Sequence, residues 1–280
     1  MYKSASLGAI GVKVGLLEGI ELAARHGFQG IDINPFAAEE VGIERVRQAL
    51  QKHNLKNAGF GLPRSFESAS KEEYEKGKTE LKRMAEIARK LDAFGCSTYI
   101  VPFSNTMTYK TQFDFLAERL GGFSEILREF GFRMGLEYVG ARPERYRAKH
   151  GFISNIPEML ELCDAIDGGY TGLLVDVYHT YTAGHDMDII KTLNPERITL
   201  VHVNDARLDI GIDYLPDTKR TMPGETGVID ICRFMNNLKG IGYQGPVAAE
   251  PFSSFMNLFV TENEWKMEYT IRALNMIWPE

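Results

Sequence analysis

Eight times along this chain, a short run rich in β-branched residues and ending in polar ones is followed by a stretch whose apolar residues repeat at helical spacing. No other feature restricts the fold as strongly. Strands are expected at residues 4–8, 30–34, 57–61, 98–102, 133–138, 172–177, 198–203 and 246–250. Strands separated by helices pair in parallel through right-handed crossovers. Eight such units can close a sheet on itself, and 280 residues is close to the roughly 250 that a (β/α)8 barrel uses. An open doubly wound sheet is the alternative, but it usually carries a glycine-rich phosphate turn after an early strand. Gly59-Phe60-Gly61 is too slight to serve as one. The expectation is an α/β chain forming a single-domain (β/α)8 TIM barrel over residues 1–280.

Several boundaries can be placed from local chemistry. Leu116, Leu120, Phe123, Leu127 and Phe130 recur at steps of three and four, one stripe of a helix that Gly131 is placed to stop. Pro157 suits a first helical turn capped by Ser154 or Asn155, with Met159, Leu160, Cys163 and Ile166 as the buried face. Gly27 and Asn54 read as helix ends. Trp265 and the Met and Phe residues of the last helix are expected in the core. The longest stretch without a helical pattern, residues 205–227, follows the seventh strand, on the face where barrels build active sites.

Each of the last four strands delivers one potential metal ligand at the end of an apolar run: Gly135-Leu136-Glu137, Leu174-Val175-Asp176, Leu200-Val201-His202 and Ala248-Ala249-Glu250. A carboxylate beside a buried strand is costly without a partner. A salt bridge at a strand end would explain any one of these residues, and one divalent cation would compensate all three acids at once. Three carboxylates and an imidazole suit Mn2+, Mg2+, Co2+ or Zn2+, with positions left open for water or substrate. His179, three residues after Asp176, leaves the same strand end and is expected to polarise a substrate oxygen or bind a second metal. Arg207, five residues after His202, offers paired donors for a hydroxyl, carboxylate or phosphate, with a solvated surface role as the alternative. Asp205 is a candidate to orient His202. Glu225 reads as a loop residue, and His185-Asp186 as the start of the next helix. Lys219, Arg220 and Arg64 are weighed as phosphate contacts and read as surface residues.

Composition narrows the partners. Apolar residues at 44% and charged residues at 25% are the balance of a folded globular chain. A net charge of −6 argues against a surface built to neutralise phosphate backbones, so nucleic acid is disfavoured. No run of about 20 apolar residues occurs, so neither secretion nor a membrane is expected and the cytoplasm is the expected compartment. Cys96, Cys163 and Cys232 are odd in number and widely spaced, and are read as reduced packing residues.

On Asp176-x-x-His179, His202-Val203-Asn204-Asp205, the glutamate of Gly135-Leu136-Glu137 and that of Glu250-Pro251, the chain resembles the xylose-isomerase-like TIM barrel superfamily over nearly its whole length. That superfamily includes sugar isomerases, ketose 3-epimerases and apurinic endonucleases. The resemblance implies one divalent metal ion held by Glu137, Asp176, His202 and Glu250, with Glu137 and Glu250 also forming the acid–base pair. It also implies that His179 and Arg207 bind substrate oxygens, although Arg207 is one residue closer to the histidine than in the ketose epimerases. The endonuclease branch shares Asp176-x-x-His179 and His202-x-Asn204-Asp205, but builds a three-zinc cluster with further histidines. The third and fourth strands here end in Gly61-Leu62-Pro63-Arg64 and Val101-Pro102-Phe103-Ser104, and residues 205–227 also lack histidine.

The expected function is therefore a metal-dependent isomerase or epimerase of a sugar or sugar phosphate, removing the proton next to a carbonyl through an enediolate. An inosose-type dehydratase on the same site is the alternative within the class. An apurinic-endonuclease-like phosphodiesterase and a non-catalytic sugar-binding barrel are the alternatives outside it. A homo-oligomer is expected from the family only.

Overall fold

The alternation is realised as eight parallel strands: β1 (Tyr2–Ala5), β2 (Gly30–Asp32), β3 (Lys56–Gly61), β4 (Cys96–Ile100), β5 (Met134–Tyr138), β6 (Gly172–Asp176), β7 (Ile198–Val203) and β8 (Pro246–Ala249). They close into a barrel in which each strand pairs with its sequence neighbours and β8 returns to β1. The computed structural model describes residues 1–258 and 260–280. Every residue of β5 and β6 is buried, as expected of strands covered by side chains inside and helices outside.

Two strands, β1 and β4, lie two or more residues earlier than the sequence suggests. β1 ends at Ala5 because the chain then turns, with Ile10 and Val12 donating backbone hydrogen bonds to Ser6 and Leu7. β4 ends before Pro102, which has no N–H for a ladder. Just beyond, Phe103–Ser104 pairs antiparallel with His150–Gly151, a ladder too short to leave a periodic signal.

The helices follow their caps. Thr108 caps Tyr109–Glu129, whose buried face is Leu116, Leu120, Phe123 and Leu127, and Gly131 follows in a left-handed conformation at φ 76°. Asn155 caps Ile156–Asp167 by accepting from the Glu158 N–H, and Leu162 takes the buried place expected of Leu160. Asn54 ends Ile43–His53 in the left-handed region. Asp186 caps the short 3-10 helix Met187–Thr192, so His185-Asp186 does stand at the start of the next helix.

Two packing expectations are corrected. On Asn263–Ile277 the buried stripe runs through Met267, Thr270, Ile271 and Leu274. Trp265 and Met276 fall off that stripe and are 62% and 65% exposed. Cys96 and Cys163 are buried, but Cys232 is exposed. Phe259 lies outside the described residues.

The long connection after β7 is tied down by Asp205. Its buried carboxylate accepts the N–H groups of Ala206, Thr226, Gly227 and Ile229, and its backbone pairs with Thr221. Asp205 thus folds the loop rather than orienting His202.

Candidate metal centre and active-site cavity

Strand register gathers the four expected ligands. Asp176 on β6 pairs directly with His202 on β7, and Ala248 on β8 pairs with His202 from the other side. Glu250, two residues on, donates its N–H to the Val203 carbonyl at 3.1 Å. Glu137 stands on β5 beside Tyr99 of β4. One ligand atom from each of Glu137, Asp176, His202 and Glu250 lies within 4.8 Å of the others, the one such group among the described residues.

Asp176 is fully buried and held on several sides. It caps the short helix Val177–Thr182 by accepting the Tyr178 N–H at 2.6 Å, and Asn204 Nδ2 donates to both carboxylate oxygens at 3.2 and 3.3 Å. His202 Nδ1 lies 3.2 Å from Glu250 Oε2 and 3.6 Å from Glu137 Oε1. Neither contact has hydrogen-bond geometry, so Nδ1 and Glu137 Oε1 are buried without partners. Two unpartnered ligand atoms facing each other are what a cation between them would satisfy. Metal–ligand bonds of roughly 2.1 Å place ligand atoms up to about 4.2 Å apart, so the quartet fits a divalent ion after a small contraction.

The charges push the groups in opposite directions. Burial drives the Glu137 carboxyl above the usual carboxylate range. Burial acts the same way on Glu250, but the His202 and Arg220 charges outweigh it and hold Glu250 low. His202 is raised well above an ordinary imidazole, because the two glutamates outweigh the burial that would lower it.

Arg220 is the site residue that its sequence context does not reveal. Lys219-Arg220 reads as a surface pair, yet the Arg220 side chain is 1% exposed. The Asp205–Thr221 backbone pair turns it inward, where Nη1 meets Asp176 Oδ2 at 2.7 Å and Glu250 Oε2 at 3.1 Å. Nη2 meets Asp217 Oδ1 at 2.6 Å, and the guanidinium lies over the rings of Tyr178 and Phe252. The available signal was Asp217-x-x-Arg220, a same-loop pair spaced to meet.

His179 joins this network. The Gly140 N–H donates to His179 Nδ1 at 3.2 Å, while Nε2 lies 3.1 Å from the donor Arg220 Nη2 and 3.4 Å from Asp217 Oδ1. Gly140 permits this approach, since a β-carbon there would lie 2.3 Å from the His179 carbonyl oxygen. Arg207 is not brought to the centre. It is partly exposed, paired with Asp209 at 2.5 and 2.8 Å, and lines a separate surface pocket. Arg64 also lies apart, bonded to Glu67 and to the Tyr99 carbonyl.

Two cavities meet at the quartet, and Glu137, Glu250 and Tyr99 line both. One, of about 500 Å³, runs into the barrel mouth past Ser6, Asp32, Ser97 and His202. The other, of about 380 Å³, is walled by Val101, Phe103, Phe252, His179 and Arg220. Both volumes are in the range of small-molecule sites.

A sequence model described as "Xylose isomerase-like TIM barrel" matches residues 20–272, and the chain belongs to that family. It is similar to an inosose isomerase of Bacillus velezensis, with 24% identity over 246 residues, covering 85% of this chain and 83% of the relative. A xylose isomerase domain protein from Alicyclobacillus acidocaldarius superposes with a TM-score of 0.88 at 27% identity, over 99% of this chain and 98% of that one. The IolI protein, whose crystal structure holds a zinc atom, superposes with a TM-score of 0.82 at 20% identity, with the same coverage. The named relative is an enzyme, in line with the expectation of one here. No helix among the described residues is long and apolar enough to cross a membrane.

Proposed function

We propose that this chain is a divalent-metal-dependent isomerase or epimerase of a small polyhydroxylated carbonyl compound. The observation that carries the reading is that Glu137 and Glu250 present carboxyl groups to the same cavity from either side of His202. A divalent ion held by Glu137, Asp176, His202 and Glu250 would supply Lewis acidity toward substrate oxygens.

The protein's own groups supply the rest. One glutamate takes the proton from the carbon next to the carbonyl, and the C–H electron pair moves into the double bond of an enediolate. The other returns a proton, to the same carbon for epimerisation or to its neighbour for isomerisation. His179, held by Gly140 and Asp217, presents Nε2 at the edge of the second cavity. Arg220 is the one lysine or arginine lining either cavity, and it is already committed to Asp176, Asp217 and Glu250. An unphosphorylated polyol ketone therefore suits the cavities better than a sugar phosphate.

The test is deuterium incorporation from D2O into an inosose and into D-fructose by the Mn2+-loaded protein, followed by NMR. Wild type should incorporate deuterium next to the carbonyl of at least one, and Glu250→Gln and Glu137→Gln should each lose the exchange. Exchange that persists in both variants would refute the roles of the glutamates.

A further inference from the structure

The half of the barrel mouth opposite the metal quartet carries a carboxylate that the proposed reaction does not use. Asp32 ends β2, and in the closed sheet β2 stands diametrically across from β6, the strand of Asp176. Asp32 lines the 500 Å³ cavity together with Glu137, His202 and Glu250, on a wall that also presents Ser4, Ser6, Ser97 and Thr98.

The backbone is shaped at this point. β2 and β3 pair Ile31 with Asn57 but Asp32 with Gly59, so Ala58 is an extra residue opposite the end of β2. The insertion is written into the sequence. The Asn57 side-chain oxygen accepts the Gly59 N–H at 3.1 Å, and Gly59 sits at φ 137°, where a β-carbon would lie 2.7 Å from the Gly95 carbonyl oxygen. Bulges beside active sites re-aim side chains into them.

Asp32 is exposed to the cavity it lines, and no lysine or arginine is among the groups acting on its carboxylate. A carboxylate in such a place, with acceptor capacity and no cation to use it, matches a ligand that brings hydroxyl donors.

We propose that Asp32 is a substrate-anchoring, specificity-determining residue whose carboxylate accepts a hydrogen bond from a substrate hydroxyl at the end remote from the metal quartet. The substrate must then bear hydroxyls well away from its reacting carbon and reach across the barrel mouth. That selects a cyclic or open-chain polyol ketone over a three-carbon ketone. The assignment rests on the polyol-ketone reading of the site, but it is tested by binding rather than by turnover.

Calorimetry on the Mn2+-loaded protein would use three probes: an inosose, D-fructose and hydroxyacetone. Asp32→Ala should weaken the polyol ketone that wild type binds by tenfold or more. It should leave hydroxyacetone and Mn2+ binding within twofold of wild type. Asp32→Asn, which keeps an acceptor oxygen, should recover part of the loss. Unchanged polyol affinity in Asp32→Ala would overturn the assignment, as would an equal loss for hydroxyacetone or wild-type protein that binds neither polyol. Asp32-dependent binding with no deuterium exchange in wild type would uphold the anchor and overturn the proton-transfer reading alone.

Discussion

The two halves of this barrel share one backbone plan and differ in what their strands deliver. At or just beyond the C-terminal ends of β5 to β8 stand Glu137, Asp176, His202 and Glu250, three acids and an imidazole, with Arg220 folded in among them. The wall formed by β1 to β4 presents Ser4, Ser97, Thr98 and the carboxylate of Asp32. Eightfold architecture offers equivalent positions, so chemistry depends on which strand ends are charged and how each charge is compensated. In the charged half, compensation comes from Arg220 and from ligand atoms left free to face a cation. In the other half the hydroxyls and the Asp32 carboxylate are suited to binding hydroxyls.

The sharpest way to break this contrast is to remove one polar side chain from each half. His202→Ala should weaken Mn2+ binding at least about a hundredfold, since one of four ligands is lost, whereas Ser97→Ala should leave it within twofold. Isothermal titration would measure both, and equal effects would erase the distinction.

The next effect is on stability. Arg220→Met leaves Asp176 and Glu250 without their buried cation, and removing one partner of a buried pair costs about 3–5 kcal/mol. Urea unfolding of the metal-free protein should show a loss of that order, with part recovered on adding Mn2+. A loss below about 1 kcal/mol would mean that Arg220 is not the compensating charge. In the other half the conformation matters more than the charge. Gly59→Ala forces a β-carbon against Gly95 at a strained backbone angle and should cost about 1–3 kcal/mol. The smallest effect is expected for Arg207→Ala, which should change catalytic rate by less than twofold because the side chain is paired with Asp209 on the surface. A tenfold fall would return Arg207 to the substrate site.

The contrast also explains what could be read in advance. The clustering of the quartet was legible because each candidate ligand stands at or near the end of an apolar strand, so parallel register alone brings all four to one rim. Asp32 ends Gly30-Ile31-Asp32 by the same rule, but no neighbouring strand end of similar character drew notice to it. Arg220 was not legible because its position depends on how the chain folds between residues 205 and 227. Asp205 and Thr221 pair, and that turn reverses which loop residues face inward. The same turn carries Arg207 outward, so its sequence distance from His202 does not measure its distance in space. Trp265 shows the limit of composition, since a large apolar residue off the buried stripe stays exposed.

The central claim is that Glu137, Asp176, His202 and Glu250 together hold a single divalent ion. Its most direct test is elemental analysis of metal per chain in protein loaded with Mn2+ and desalted, comparing wild type with the Glu137→Gln/Glu250→Gln double variant. About one equivalent in wild type and far less in the variant is the predicted result. No retained metal in wild type, or equal occupancy in the two proteins, would contradict it.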